Sequence, residues 1–405
     1  TSVIVGRDMR KSSESLAAAF ATGVREQGIN AIDIGLASTD MCYFASGHFD
    51  FPAAMVTASH NPAEYNGLKI CMNKARPVGE DSGLKEILEI VNTSPERQSV
   101  VGNIQEIDVL DEFADHVCSV IDVSNLRALK VVADTANGMG GLILPPIFKK
   151  LPFELEILFP ELDGNFPNHP ADPLRQENQE HLRQRVLETK ADIGLAFDGD
   201  ADRVFLMDEK GESISGSLTT ALIADQILQE KSDESVIYNL ICSKVVPEVI
   251  LERGGTGIRS RVGHSFIKEL MEKHDAVFAG EHSGHYYFRK NYRADSGVMA
   301  SLVVLRALSQ YQGKLSEMLE PFERYESSGE LNFSVTDVRA SIEKIEEHYK
   351  TSIVDRLDGL TVDVGDWWFN LRPSNTEPLL RLNIEANNKK VCAQAIEEVR
   401  TLLTQ

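Results

Sequence analysis

Apolar positions along this chain follow two rhythms, one of period two and one near 3.6. Val3-Ile4-Val5 is a short apolar run that predicts a strand. After Gly6-Arg7-Asp8, residues Leu16, Phe20 and Val24 recur at helical spacing, with Ser12 and Ser13 as candidate caps and Gly28 as the stop. Ile32 and Ile34 alternate as a second strand. Ala54-Met55-Val56-Thr57 gives a third, which runs into Ser59-His60-Asn61-Pro62, where Pro62 and Tyr65-Asn66-Gly67 require a loop. A new helix is expected to begin around Asp108–Asp115, and the order then returns: a strand at 129–133, a glycine-rich turn at 134–141 and an apolar helix. A third copy starts at Val236-Ile237-Tyr238, with Ser243 ahead of a helix. Strands alternating with helices in units of about 100 residues predict three related α/β domains, placed at 1–107, 108–211 and 212–325.

The pattern changes after 325. A strand at 331–335, a helix at 338–349, strands at 360–364, 367–371 and 379–384, and a terminal helix at 390–403 predict a smaller α+β domain over 326–405 whose strands pair antiparallel. Trp367 and Trp368, adjacent on a strand, must face opposite sides, one toward a core and one toward a domain interface.

Composition narrows the partners. Sixty-two acidic against 41 basic residues give a net charge of −21, which disfavours a nucleic acid. No apolar run approaches the ~20 residues of a membrane span, and the start has no export-signal pattern, so a cytoplasmic chain with no membrane partner is expected. Five scattered cysteines without a CxxC pair argue against disulfides and thiolate zinc.

Four loops carry chemistry-bearing groups. Asp198-Gly199-Asp200-Ala201-Asp202-Arg203 lies between two apolar runs, so three carboxylates at alternate positions can converge on one hard cation. An EF-hand is the rival, with Glu209 at its twelfth position; Arg203 stands where that loop needs glycine, and both flanks read as strands. Gly280-Glu281-His282-Ser283-Gly284-His285 offers carboxylate, hydroxyl and imidazole for polyol recognition and proton transfer. Arg372-Pro373-Ser374-Asn375-Thr376-Glu377-Pro378, with Arg381 downstream, matches the oxygens of a phosphate. The Thr57-Ala58-Ser59-His60-Asn61-Pro62 loop places a hydroxyl at a strand end but lacks the Gly-x-Ser-x-Gly elbow of a hydrolase.

These four loops, with Val5-Gly6-Arg7-Asp8-Met9-Arg10, Tyr65-Asn66-Gly67-Leu68-Lys69, Asp163-Gly164-Asn165-Phe166-Pro167 and Val262-Gly263-His264, resemble the α-D-phosphohexomutases, in particular their phosphomannomutase/phosphoglucomutase branch. The resemblance implies a heart-shaped arrangement of three α/β domains and a smaller fourth around a central cleft. It implies reversible phosphoryl transfer between O6 and O1 of a hexose through a phosphoserine at Ser59 and a hexose 1,6-bisphosphate, which also serves as activator. Asp198, Asp200, Asp202 and Ser59 would hold Mg²⁺. Lys69, His60 and His285 are candidates for moving the hydroxyl proton, and Arg203 for reaching sugar or phosphate. Glu281 and Ser283 would bind sugar hydroxyls, and Arg372, Ser374, Asn375, Thr376 and Arg381 the phosphate that is not reacting. Arg7, Arg10, Arg261 and His264 are further cleft candidates.

The substrate expected is a small phosphosugar, mannose or glucose based. His282 stands where glucosamine-phosphate relatives carry Gln, and Ile241 where some relatives carry Lys. A phosphosugar- or calcium-binding protein without catalysis, and a phosphoserine phosphohydrolase, remain as alternatives. Relatives have an arginine-bearing loop ahead of the segment that begins here at Thr1, so an N-terminal truncation is expected.

Overall fold

The computed structural model describes residues 1–93, 96–124, 126–374 and 379–404, apart from the side chain of Asp81. The first sheet contains β1 (Ser2–Arg7), β2 (Asn30–Leu36), β3 (Ala53–Val56), β4 (Leu68–Met72), β5 (Arg76–Pro77) and β6 (Ile104–Glu106), in the order β5-β4-β3-β1-β2-β6. Helices α1 (Ser13–Glu26), α2 (Thr39–Phe49) and α3 (Lys85–Asn92) belong to the same unit. Ser12 takes the cap position of α1 without its side chain capping. Instead the Ser12 and Ser13 hydroxyls accept from the Asn66 amide, both at 2.9 Å, so these serines tie the helix start to the loop after Ser59.

The second unit opens with α4 (Leu110–Cys118) and builds β7 (Lys130–Asp134), α5 (Gly140–Phe148), β8 (Glu154–Leu158), α6 (Glu180–Thr189), β9 (Ile193–Phe197), β10 (Val204–Met207) and β11 (Ser213–Ile214). The third has α7 (Gly216–Glu230), β12 (Ser235–Asn239), α8 (Val245–Glu252), β13 (Thr256–Ser260), α9 (His264–Lys273), β14 (Phe278–Gly280), β15 (Tyr286–Phe288), β16 (Ala294–Asp295) and α10 (Gly297–Gln310), followed by the short α11 (Leu315–Leu319). Their sheet orders, β11-β10-β9-β7-β8 and β16-β15-β14-β12-β13, repeat the first sheet without β6. In each, a parallel triplet with the first strand at its centre is extended on one side by two antiparallel strands. β9 and β10 are buried along their whole length, which is why they read as unbroken apolar runs rather than alternating ones.

The last unit has β17 (Glu326–Ser334), α12 (Val338–His348), β18 (Ile353–Asp355), β19 (Leu360–Asp363), β20 (Trp367–Pro373), β21 (Leu379–Ala386) and α13 (Lys389–Thr404). Its sheet, β17-β21-β20-β19-β18, is antiparallel throughout. β18 is missing from the expected strands, because its residues are only half-buried and it covers one sheet edge. Trp367 joins Phe369 and Tyr349 against the core of this unit. Trp368 turns the other way, donates its indole N–H to Glu385 at 2.8 Å, and lines a groove with Tyr238 and Lys244 of the third unit. One continuous apolar core runs from Ile4 to Phe322 through the first three sheets, while the fourth unit keeps its own core.

Candidate active site

The repeated topology sets three hairpins at corresponding places. In the first three sheets the last parallel strand turns back at its C-terminal end into an antiparallel neighbour, β3 into β4, β9 into β10 and β14 into β15. Those three turns carry Ser59, the aspartate triplet and the Glu281–His285 stretch, and Arg372 lies near the end of β20. Carboxyl ends of parallel strands are where α/β sheets gather ligand-binding loops.

Ser59 sits in the left-handed region at φ 49°, a conformation a serine holds only when its surroundings impose it. Its N–H donates to the Thr57 hydroxyl at 2.9 Å. Beneath the loop lies Arg10, 2% exposed, with Nε on Asp8 at 3.2 Å. Its Nη1 donates to the carbonyls of Pro62 (2.7 Å) and Tyr65 (3.1 Å), and its Nη2 to those of Ser59 (2.8 Å) and Asn61 (2.7 Å). Arg10, a cleft candidate from the sequence, holds the carbonyls of the serine loop. An ammonium has three donors where this guanidinium uses five, so Arg10→Lys is expected to lower kcat roughly tenfold with little change in KM, checked by steady-state kinetics.

Asp198, Asp200 and Asp202 are 0%, 0% and 1% exposed. Ser59 Oγ donates to Asp198 Oδ2 at 2.8 Å. Lys69 Nζ lies 2.7 Å from Asp200 and 2.6 Å from Asp202, and Arg203 Nε is 2.9 Å from Asp198. The N-terminus of α2 also docks here: the Thr39 N–H donates to the Asp200 carbonyl at 3.0 Å, and its hydroxyl to the Asp200 carboxylate at 2.5 Å. Burial pushes Asp198 and Asp202 up to about 7, Asp198 despite Arg203 and Asp202 despite Lys69. Burial opposes charge at Asp200 too, but Lys69 holds it well below the usual carboxylate range. For Lys69, burial works against the ammonium, and the two aspartates outweigh it and hold its pKa well above the ordinary value. Lys69, a candidate proton carrier, is thus placed as an ammonium wedged between two carboxylates.

A divalent cation fits the hairpin. Among the described residues Asp200 Oδ1 and Asp202 Oδ1 are buried without a hydrogen-bond partner, and the three aspartates each offer an oxygen within 4.8 Å of the others. Both flanks are strands, which removes the EF-hand reading, and Glu209 instead accepts from Ser316 at 2.7 Å.

The Glu281 turn packs onto this hairpin through an isolated bridge between Arg203 and His285. Gly284, at φ 87°, has no room for a side chain, since a Cβ would lie 2.6 Å from the Phe205 ring. Glu281 is buried, with one oxygen accepting from the Tyr287 hydroxyl (2.6 Å) and the other from the Asn239 amide (3.2 Å). His285 Nδ1 lies 3.2 Å from Ser283 Oγ, and its Nε2 is 3.6 Å from Asp202 and 3.9 Å from Asp295. Burial lowers the His285 pKa against the pull of Asp295 and Glu281, so the ring is neutral near pH 7. Withdrawal from water and Arg203 lower His60 to about 4; its Nδ1 is 3.4 Å from Ser59 Oγ.

A cleft of about 640 Å³ lies beside these loops, lined by His282, Ser283, Arg372, Ser374 and Arg381, with Ile241 on its wall. Arg372 stands directly opposite Arg381 on β20 and β21. Asn375 and Thr376 lie outside the described residues. Arg203, expected to reach sugar or phosphate, is turned onto Asp198 and is only 4% exposed. Arg7 lines a separate groove with Asp33 and Glu106, and Arg261 stacks on Phe266.

Sequence reasoning missed the supporting residues Thr39, Asn239, Tyr287, Asp295 and Glu330. Thr39, Asn239 and Glu330 lie far along the chain from the groups they hold, whereas Tyr287 and Asp295 stand just past the Glu281 turn, on β15 and β16.

Models of four domains match the chain: phosphoglucomutase/phosphomannomutase alpha/beta/alpha domain I at residues 1–98, domain II at 111–211, domain III at 215–325 and the C-terminal domain at 330–402. The phosphomannomutase of Methanocaldococcus jannaschii is 37% identical over 409 residues, covering 100% of this chain and 90% of that protein. The phosphomannomutase of Escherichia coli is 37% identical over 414 residues, 99% of this chain and 90% of the relative. A crystal structure of a phosphoglucomutase/phosphomannomutase family protein from Burkholderia thailandensis superposes with a TM-score of 0.90 at 31% identity, covering 99% of this chain and 88% of that one.

Proposed function

The chain belongs to the phosphoglucomutase/phosphomannomutase family, and from that premise we propose that it is a phosphomannomutase, interconverting mannose 6-phosphate and mannose 1-phosphate through a phosphoserine at Ser59 and a hexose 1,6-bisphosphate. The observation that carries this reading is the contact of Ser59 Oγ with Asp198 across two domains, which sets a hydroxyl in a strained turn at the mouth of a three-carboxylate hairpin.

In this reading the phosphorylated serine gives its phosphoryl group to the free hydroxyl of the sugar. The bond from phosphorus to Ser59 Oγ breaks, a bond to the sugar oxygen forms, and the hydroxyl proton passes to the neutral His285. After the bisphosphate turns end for end, Ser59 Oγ takes the other phosphoryl group and the proton returns. Asp198, Asp200, Asp202 and an oxygen on Ser59 would hold Mg²⁺, which when bound neutralises charge on the transferring group. Lys69 and Arg203 add fixed positive charge beside the same oxygens. Glu281, already oriented by Tyr287 and Asn239, and Ser283 bind sugar hydroxyls, while Arg372, Ser374, Asn375, Thr376 and Arg381 hold the distant phosphate. The absence of Gln at His282, which is held by Ser217 at 2.9 Å, favours a hexose without the 2-amino group.

Side-by-side coupled assays with mannose 1-phosphate and glucose 1-phosphate, Mg²⁺ and bisphosphate test the assignment. Turnover of the mannose compound supports it. Turnover of glucose 1-phosphate alone would make the chain a phosphoglucomutase, and release of inorganic phosphate a hydrolase.

A pH effect on metal binding follows from the raised aspartates. Asp198 and Asp202, pushed up to about 7, are protonated below that pH, and a cation must displace those protons. Affinity for Mn²⁺, followed by its spin resonance, is expected to fall by about tenfold per pH unit for each proton displaced as pH drops from 7 to 5, and to level off above 8. An affinity that stays flat across that range would show the carboxylates already ionised.

A further inference from the structure

The paired arginines of the cleft come with a carboxylate whose position neither the transfer chemistry nor the fold requires. Arg372 and Arg381 are cross-strand neighbours, and like charges placed so repel. Glu330, on β17 next to β21, reaches both. Its Oε2 accepts from Arg372 Nη2 at 3.2 Å, and its Oε1 lies 3.4 Å from Arg381 Nη1. One carboxylate oxygen thus meets each guanidinium, as two oxygens of a phosphate would. Both contacts are longer than the ~2.8 Å of a bidentate charge-assisted pair, and the Nε of each arginine is buried without a partner among the described residues. The three side chains are 30%, 12% and 32% exposed for Glu330, Arg372 and Arg381, so the group borders the cleft rather than sitting in a sealed core.

From this arrangement we infer that Glu330 is an internal competitor for the phosphate clamp: it cancels one of the two positive charges and occupies Nη donors that a sugar phosphate must take over. The inference rests on the reading of Arg372 and Arg381 as the clamp for the non-reacting phosphate. Its functional sense is in the reorientation. A bisphosphate must release its distant phosphate before it can turn, and a bare pair of arginines would hold a dianion too firmly for that exchange. A loosely held carboxylate keeps the arginines facing each other when no phosphate is bound and lowers the cost of letting one go.

Glu330→Gln removes the charge while keeping shape and one acceptor, and Glu330→Asp keeps the charge on a shorter arm. Binding of inorganic phosphate to the full chain by calorimetry, with KM and kcat for the sugar phosphate, separates the possibilities. Glu330→Gln is expected to bind phosphate about three- to tenfold tighter, with KM lowered in step and kcat reduced as release slows, while Glu330→Asp stays within about twofold of the parent. Weaker or unchanged phosphate binding by Glu330→Gln would make Glu330 a scaffold for the arginines and overturn the inference. Arg381→Met distinguishes the two levels. If it binds phosphate as the parent does, the clamp reading itself fails; if it loses phosphate while Glu330→Gln gains nothing, only the competitor role fails.

Discussion

Ser59→Ala is expected to reduce mutase turnover by roughly 10⁴-fold or more, with the fold intact and no rescue by added hexose 1,6-bisphosphate. The size follows from the chemistry, since the hydroxyl is the group that accepts and returns the phosphoryl moiety, and no neighbour replaces it. His60 Nδ1, 3.4 Å away, is held near pKa 4 and is a poor nucleophilic substitute in that loop, and Asp198 stays paired with Arg203. The variant should still bind metal, because the three aspartates keep their own hairpin and their partners Lys69, Thr39 and Arg203. Intact mass spectrometry supplies an independent readout: the parent, incubated with bisphosphate, should carry one added phosphate, and Ser59→Ala none. Substantial mutase activity in the alanine variant would remove the phosphoserine route altogether.

Gly199→Ala should cost about 10²-fold in kcat, for a reason visible only where two loops meet. Gly199 is not needed for an unusual backbone angle. A Cβ there would stand 2.5 Å from the Ser59 carbonyl oxygen, a backbone atom that Arg10 also holds at 2.8 Å. The methyl group therefore drives the serine loop off the aspartate hairpin, and the 2.8 Å contact between Ser59 and Asp198 opens. Because both hairpins survive separately, thermal unfolding and Mn²⁺ binding should change little while phosphoryl transfer falls. Parallel loss of metal affinity and activity would instead place the damage inside the aspartate turn, and an alanine variant within twofold of the parent would mean that the loops yield to each other freely.

Much of the site was legible because its chemistry is written in short runs. Asp198, Asp200 and Asp202 alternate along one turn between two apolar strands, so their convergence needs no long-range information. Ser59 and Glu281 likewise stand in glycine- or proline-bounded turns at strand ends. What holds those groups was not legible. Arg10 meets the serine loop about fifty residues later, Thr39 meets Asp200, and Glu330 meets Arg372 and Arg381 across two strands. Lys69 was legible as a cleft residue, but the charges around its ammonium were not. Whether an ammonium loses or keeps its proton depends on the sign of the nearest charges, and its two carboxylate neighbours come from another domain.

The sequence by itself determined the local elements, the three-fold recurrence of strand and helix, the residue types of each loop and the family to which they point. It could do so because hydrophobic period, glycine and proline punctuation and the spacing of carboxylates are properties of neighbours in the chain. Only the tertiary structure decided that the hairpins occupy equivalent ends of three like sheets, that Ser59 is held in a left-handed turn against Asp198, and that the acidic hairpin is balanced by Lys69 and Arg203. The Ser59–Asp198 and Lys69–Asp200 contacts join segments more than a hundred residues apart, where burial and opposite charge, rather than any local preference, select the arrangement.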